Sequence, residues 1–222
     1  MEQHSIDWYK ARLGKITGSM VYTLMSRPRS KTETFTETAK GYLYQVAAER
    51  TLNSLYAGQY FDQWLQRTNV ETWAMRYGTE MESLARSTYS MYLDSNLTLK
   101  ECGFFRHPLI KSYGDSPDGT IYDHKGDMVG TVEIKCPNPN TFMKYKALFA
   151  QGLTLKDVEE KYYWQTQSHM MCTGTEWCDF VAFDKMLNPS LQVQRINRND
   201  EDIALMEERI KEAEDFIKSC VQ

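Results

Sequence analysis

Ser116-Pro117-Asp118-Gly119 precedes Val132-Glu133-Ile134-Lys135-Cys136-Pro137, with fourteen residues (119–132) between Asp118 and Glu133. Pro-Asp-Gly suits a turn, and the second segment alternates as a strand does. Side chains alternate faces along a strand, so Glu133 and Lys135 share one face while Ile134 points the other way, toward a core. If the two segments are neighbouring strands, Asp118 and Glu133 can hold a divalent cation between them, with Lys135 beside the metal-bound water. Two carboxylates and an ammonium around oxygen ligands suit Mg²⁺ and phosphodiester hydrolysis. Either half alone is an ordinary turn or an ordinary cross-strand charge pair. Together, in this order and at hairpin distance, they point to a nuclease.

Composition permits that reading. A chain of 222 residues, 41% hydrophobic and 25% charged, suits one sizeable soluble domain covering 1–222. No apolar run is long enough for a membrane span, and the start lacks the layout of a secretory signal; a cytoplasmic location is expected. Five cysteines without a Cys-x-x-Cys pair argue against a disulfide framework, a zinc site and an iron–sulfur cluster. The four histidines show no metal-ligand spacing, and His169 reads as a packed or surface residue. The net charge of −4 hides an asymmetry. Residues 1–50 carry eight Lys/Arg against five Asp/Glu, and residues 199–222 carry three against eight. A basic front and an acidic tail are compatible with a positive groove on an acidic protein.

The order of elements predicts an α/β fold. Ser5 caps a short helix over 7–12, Gly14 breaks it, and Thr17-Gly18-Ser19 opens a second helix to about Leu24. A basic loop, Arg27-Pro28-Arg29-Ser30-Lys31, precedes a helix at 36–53, and a long helical stretch runs from Asn69 to Leu93. Strands are expected at 97–105, 111–116, 120–123 and 129–136, with Lys125-Gly126-Asp127 as the last turn. Helices at 140–150 and 155–173, strands at 177–184 and 191–196, and a helix from Asp202 to Lys218 complete the order. In that last helix Ile203, Met206, Ile210, Ala213 and Ile217 form one stripe. A mixed central sheet flanked by helices follows.

Five segments in order carry a resemblance. They are Asp7-Trp8-Tyr9-Lys10-Ala11-Arg12-Leu13-Gly14-Lys15-Ile16-Thr17-Gly18-Ser19 with Arg27-Pro28-Arg29-Ser30, then Tyr77-Gly78-Thr79-Glu80-Met81-Glu82, then the Ser-Pro-Asp-Gly and Glu-Ile-Lys-Cys-Pro segments, then Gln165-Thr166-Gln167. Pro117-Asp118 with Glu133-Ile134-Lys135 resembles the PD-(D/E)XK nuclease signature. The whole series, from about residue 7 to the strand near 184, is similar to the phage lambda exonuclease family, also called the YqaJ-like viral recombinases.

The resemblance implies a restriction-endonuclease-like core and assigns roles. Asp118 and Glu133, with the Ile134 carbonyl, would bind Mg²⁺, for which Mn²⁺ would substitute. Glu82 would bind a second metal or a metal-held water, giving up to two metals per site. Lys135 would orient or deprotonate the attacking water and stabilise the pentavalent phosphate, and Gln165 would position the water or the scissile phosphate. Arg12, Thr17, Ser19 and Ser116 would form a pocket for a terminal 5′-phosphate, Arg29 would grip the downstream strand, and Met75 would part the terminal base pair. The implied activity is 5′→3′ degradation of one strand of linear duplex DNA. The implied assembly is a homotrimeric ring, with the 3′ strand passed to a single-strand annealing protein in the bacterial host of a phage or prophage. A structure-selective or distributive endonuclease, or a non-catalytic DNA-end binder, would be the alternatives. The first would not need the phosphate pocket, and the second would be expected to lose a carboxylate or the lysine.

Overall fold

Asp123 and Gly126 set the register of the hairpin that joins the two signature segments. Asp123 Oδ1 accepts the backbone N–H groups of Lys125 (2.9 Å) and Asp127 (3.0 Å). Gly126 adopts the left-handed backbone, φ +88°, that a side chain resists. The strands on either side pair antiparallel with Gly119 opposite Val132, which places Asp118 next to Glu133 across the ladder. Asp118 N–H donates to the Val132 carbonyl at 3.0 Å and extends that pairing past the strand end.

The computed structural model describes residues 2–68 and 72–221. It divides into two units, Met1–Val70 with Gly103–Ser116 and Asn199–Gln222, and Glu71–Cys102 with Pro117–Arg198. The first unit contains α1 (Ile6–Arg12), β1 (Ile16–Thr17), a single 3-10 turn at Gly18–Met20, α2 (Val21–Met25), α3 (Glu37–Arg50), α4 (Ser54–Ala57) and α5 (Phe61–Thr68). Later segments add β3 (Phe105–Arg106), β4 (Tyr113–Asp115) and α10 (Asp200–Val221). The second unit holds α6 (Trp73–Tyr92), β2 (Thr98–Lys100), β5 (Gly119–Tyr122), β6 (Met128–Lys135), α7 (Pro139–Ala150), α8 (Leu155–Val158), α9 (Glu160–Thr173), β7 (Trp177–Phe183) and β8 (Leu191–Asn197).

In the first unit β4 lies between β1, parallel to it, and β3, antiparallel. Ser5 Oγ accepts the Trp8 N–H at 3.2 Å and caps α1. The expected stripe on α10 is buried as read: Ile203, Met206, Ile210, Ala213 and Ile217. Burying each of the three isoleucines contributes about 1.5–3 kcal/mol. Arg50 of α3 grips Glu214 of α10 with two parallel bonds, 2.9 and 2.5 Å, a bidentate fork that ties the two helices together.

The second unit is a five-stranded mixed sheet, order β2-β5-β6-β7-β8, antiparallel except for the β6–β7 pair. Ala85 and Tyr89 of α6 cover one face, against Ile121, Val132, Ile134, Val181 and Phe183. On the opposite face Phe180 packs against Tyr145 and Phe149 of α7 and Tyr162 of α9. The α/β class and the mixed sheet flanked by helices are therefore as expected.

Four readings change. The strand expected at 97–105 is two, β2 and β3, belonging to different sheets. Thr17 both ends β1 and stands at the N-cap of the helical segment expected to begin there, but that segment opens as a 3-10 turn at Gly18–Met20 before becoming α2. The helix expected at 155–173 is interrupted at Glu159, whose extended backbone (φ −153°, ψ 75°) ends α8. Helices α4 and α5 fall where none was expected. The long helix begins at Trp73, and the part of the expectation at 69–71 lies outside the described residues.

Candidate active site

Strand alternation splits β6 into two functions. Val132 and Ile134 enter the apolar cluster under α6, and Glu133 and Lys135 turn toward the face covered by α9. Glu133 is completely buried, so both of its oxygens need partners. Oε1 forms an ion pair with Lys135 Nζ. Oε2 lies 2.6 Å from His169 Nε2. Burial by itself would raise the Glu133 carboxyl, but Lys135 and then His169 outweigh it and hold it at about 2. Glu133 is thus a carboxylate, which only accepts, and His169 Nε2–H is the donor.

Asp118 responds the opposite way. Ile134 N–H donates to its Oδ2 at 2.6 Å. Burial, and after it the Glu133 charge, nevertheless push the Asp118 carboxyl up to about 8 against the pull of Lys135, with Glu82 adding to the rise. Two neighbouring carboxylates with one lysine are one positive charge short. Burial would lower Lys135, yet Glu133 and Asp118 hold its ammonium above the usual lysine range, and it lies 5.2 Å from the Tyr162 ring centre.

The remaining residues named for this site sit differently. Glu82 is paired with Arg86, one helical turn along α6. Arg86 also pairs with Glu101 and donates Nε–H to the Asp118 carbonyl at 3.1 Å. Arg86 thus ties Glu82 to the Asp118 backbone, a link the sequence reading missed. Gln165 is buried on α9, four residues before His169 and so on the same helix face. Met75 is 53% exposed on the first turn of α6. His169, read from the sequence as an ordinary packed or surface residue, is fully buried and bonded to Glu133. The spacing Gln165-x-x-x-His169 was its only signal.

Whether these residues suit a metal can be tested on the donors. Among the described residues, no three His, Cys, Asp or Glu side chains converge to hold an ion by themselves. A hard cation such as Mg²⁺ does not require three, since it is commonly held by one or two carboxylates with waters and substrate phosphate. Asp118, Glu133 and the Ile134 carbonyl supply that donor set. Glu133 Oε1 is buried and accepts no well-directed hydrogen bond, and the Lys135 ammonium beside it stands where positive charge is wanted. The donors fit.

A second cluster lies in the first unit. Arg12 stacks on Trp8, its guanidinium carbon 4.2 Å from the ring centre. Its Nη1 and Nη2 donate to Ser116 and Ser19 Oγ, both at 3.3 Å. Trp8 Nε1 donates to the same Ser116 oxygen at 2.9 Å. Thr17 Oγ1 lies 3.4 Å from Ser19 Oγ, and Thr17 N–H donates to Tyr42 Oη at 2.9 Å. Buried Asp115 accepts the Ser116 N–H at 2.8 Å. A Cβ on Gly18 would come within 2.0 Å of the Asp115 carboxylate, so only glycine allows this approach. Burial lowers the Arg12 guanidinium against the attraction of Asp115. Arg12, Thr17, Ser19 and Ser116 therefore come together as named, and Trp8, Tyr42 and Asp115 are the members the sequence reading missed. Arg29 is exposed in the loop after α2, and among the described residues no hydrogen bond ties it to this cluster.

The comparisons agree on a family. Residues 7–176 match the YqaJ-like viral recombinase domain. The chain is similar to an alkaline exonuclease, LHK-Exo from Laribacter hongkongensis, at 30% identity over 98% of this chain and 94% of that one, with a TM-score of 0.73. A structure of LHK-Exo in complex with dAMP matches to the same degree. A phage-related exonuclease from Haemophilus somnus 129PT shares the fold, with 18% identity, coverage of 93% and 95%, and a TM-score of 0.65. No curated protein matches significantly. With the family's match spanning both clusters and most of the chain, this protein belongs to the YqaJ-like viral recombinases.

Proposed function

We propose that this chain is a Mg²⁺-dependent exonuclease that degrades one strand of linear duplex DNA from its 5′-phosphorylated end, leaving a 3′ single strand for recombination by annealing. The observation that carries the reading is the Asp118–Glu133–Lys135 arrangement on adjacent strands, with two coupled carboxylates and one ammonium too few. Family membership and the alkaline exonuclease likeness support the nuclease class.

Asp118 and Glu133, with the Ile134 carbonyl, would hold the cation, which supplies the Lewis acid and the activated water of phosphodiester hydrolysis. Lys135, kept as an ammonium, suits stabilisation of charge building on the phosphate rather than proton abstraction. Gln165 would position water or phosphate. Glu82 would serve a second ion after release from Arg86. In the first unit, Ser116 Oγ already accepts from Trp8 and Arg12, so its own proton is what it can offer a phosphate. Arg12 adds a charge-assisted contact, Thr17 and Ser19 add hydroxyls, Arg29 would grip the downstream strand, and Met75 would part the terminal pair.

The same proposal includes a ring of three copies around the duplex and delivery of the 3′ strand to a single-strand annealing protein. The basic front and acidic C-terminal helix suit a basic lumen and an acidic exterior. Among the described residues no helix is long and apolar enough to cross a membrane. The deciding experiment digests a linear duplex labelled at either end, alongside a covalently closed circle, with Mg²⁺ or with chelator. Loss of the 5′ label on the linear substrate alone, only with Mg²⁺, is expected. Cutting of the circle would mean an endonuclease; an intact linear duplex would mean an end binder. Light scattering should give the mass of three chains.

A further inference from the structure

His169 is invested in the site to a degree that the proposed chemistry does not account for. It is completely buried, it comes from the middle of α9, and its Nε2 meets Glu133 Oε2 at 2.6 Å. The other oxygen, Oε1, faces Lys135 and accepts no directed hydrogen bond. The two oxygens of one carboxylate are therefore assigned different tasks by their surroundings. We propose that His169 is a positioning residue that locks Glu133 into offering a single oxygen, Oε1, to the cation, and so selects a small six-coordinate ion over one that prefers a bidentate carboxylate. This rests on the metal reading above and adds a determinant of which ion is taken.

The physical basis is carboxylate geometry. A bidentate grip needs both oxygens turned toward the ion, and large cations such as Ca²⁺ accept it, whereas Mg²⁺ demands near-ideal octahedral geometry with single-oxygen donors. The histidine fixes the carboxylate rotation at Oε2. Groups that orient a metal-binding side chain in this way typically contribute about 10–100-fold to metal affinity. The His169 side chain itself has no exposed surface, so the imidazole has little room to swing aside.

The test is metal titration without DNA, following Mg²⁺, Mn²⁺ and Ca²⁺ separately by calorimetry. His169→Gln keeps an amide N–H near the present Nε2 position. His169→Asn withdraws it by one methylene, and His169→Met keeps the volume without a donor. Metal-free thermal unfolding checks each fold, and His169→Met carries the comparison if the asparagine variant does not fold. His169→Gln should bind all three ions like the wild type. His169→Asn and His169→Met should lose about 10–100-fold in Mg²⁺ and Mn²⁺ affinity, with a smaller loss or a gain for Ca²⁺. Folded variants that all bind like the wild type, or a glutamine variant as weak as the other two, would overturn the role of His169. A wild type that binds neither Mg²⁺ nor Mn²⁺ would overturn the metal reading itself and this proposal with it.

Discussion

The two clusters solve opposite electrostatic problems. In the second unit, Asp118 and Glu133 share the single ammonium of Lys135, and with burial this shortfall of positive charge keeps a proton on Asp118 up to about 8. In the first, Arg12 is a buried cation whose hydrogen bonds go to the neutral hydroxyls of Ser19 and Ser116, and the attraction of Asp115 offsets only part of the cost of its burial. On the proposed reading, a cation would complete one cluster and an anion the other. The comparison teaches that a site's missing partner can be read from the sign of the charge its neighbours leave uncompensated.

The harshest way to break this contrast is to neutralise the anionic cluster. Asp118→Asn or Glu133→Gln should lower turnover about 10³-fold on every linear duplex, the scale of a lost electrostatic element. Circular dichroism should show the fold retained. The loss should be the same for 5′-phosphate and 5′-hydroxyl ends; a loss seen on only one of them would contradict the division of labour.

Arg12→Ala probes the other sign. A hydrogen bond to a charged group is worth about 1.5–3 kcal/mol, so activity on 5′-phosphorylated ends should fall about 10–150-fold. Activity on 5′-hydroxyl ends should change little. Initial rates on matched substrates decide it, and equal losses would make Arg12 a structural or general backbone contact.

Mg²⁺ and protons should compete for the anionic cluster. Without metal, the Asp118 carboxyl is raised to about 8, first by burial and then by Glu133. Its contribution to folded stability is complete below the ordinary carboxylate pKa and is lost as pH rises through about 8. A cation removes that penalty but must displace a proton below about 8, so apparent Mg²⁺ affinity should fall up to about tenfold per pH unit there. Saturation a hundredfold above Kd stabilises by about 2.7 kcal/mol. Thermal unfolding at fixed Mg²⁺ should therefore show a larger rise in Tm at pH 8.5 than at pH 6.5, and a pH-independent rise would count against Asp118 as a ligand.

Ser116→Ala should have the mildest effect. It removes one acceptor shared by Trp8 and Arg12 and one hydroxyl donor, worth about 1 kcal/mol, or about fivefold in KM for 5′-phosphorylated ends. Unchanged KM would remove Ser116 from the pocket.

The hairpin around Asp118 and Glu133 was legible because its signals are local: Lys125-Gly126-Asp127 at the turn, and strict alternation along β6. Helix α10 was legible for the same reason, its stripe returning at helical spacing. What escaped depends on partners far away in the chain. Residues 97–105 look uniformly extended, and nothing local reveals that Thr98–Lys100 pairs with β5 whereas Phe105–Arg106 pairs with β4. His169 could not be recognised until α9 was known to cover the Glu133 face of β6 rather than the Ile134 face. Asp115 points at Gly18, ninety-seven positions earlier, and Arg86 reaches Asp118 through a backbone carbonyl that carries no sequence signature.

The interleaving of the two units has a consequence for how the chain matures on the ribosome. The last stretch of the second unit ends at Arg198, whereas the first unit still awaits Asn199–Gln222. Translation delivers about 5–20 residues per second, so the second unit is complete in the chain while α3 still lacks its long helical partner. Until α10 emerges, α3 lacks the helix it packs against, and Arg50 has no Glu214. The second unit is complete in the chain before the first, and a nascent chain stalled between them would expose the apolar surface of α3 that α10 later covers.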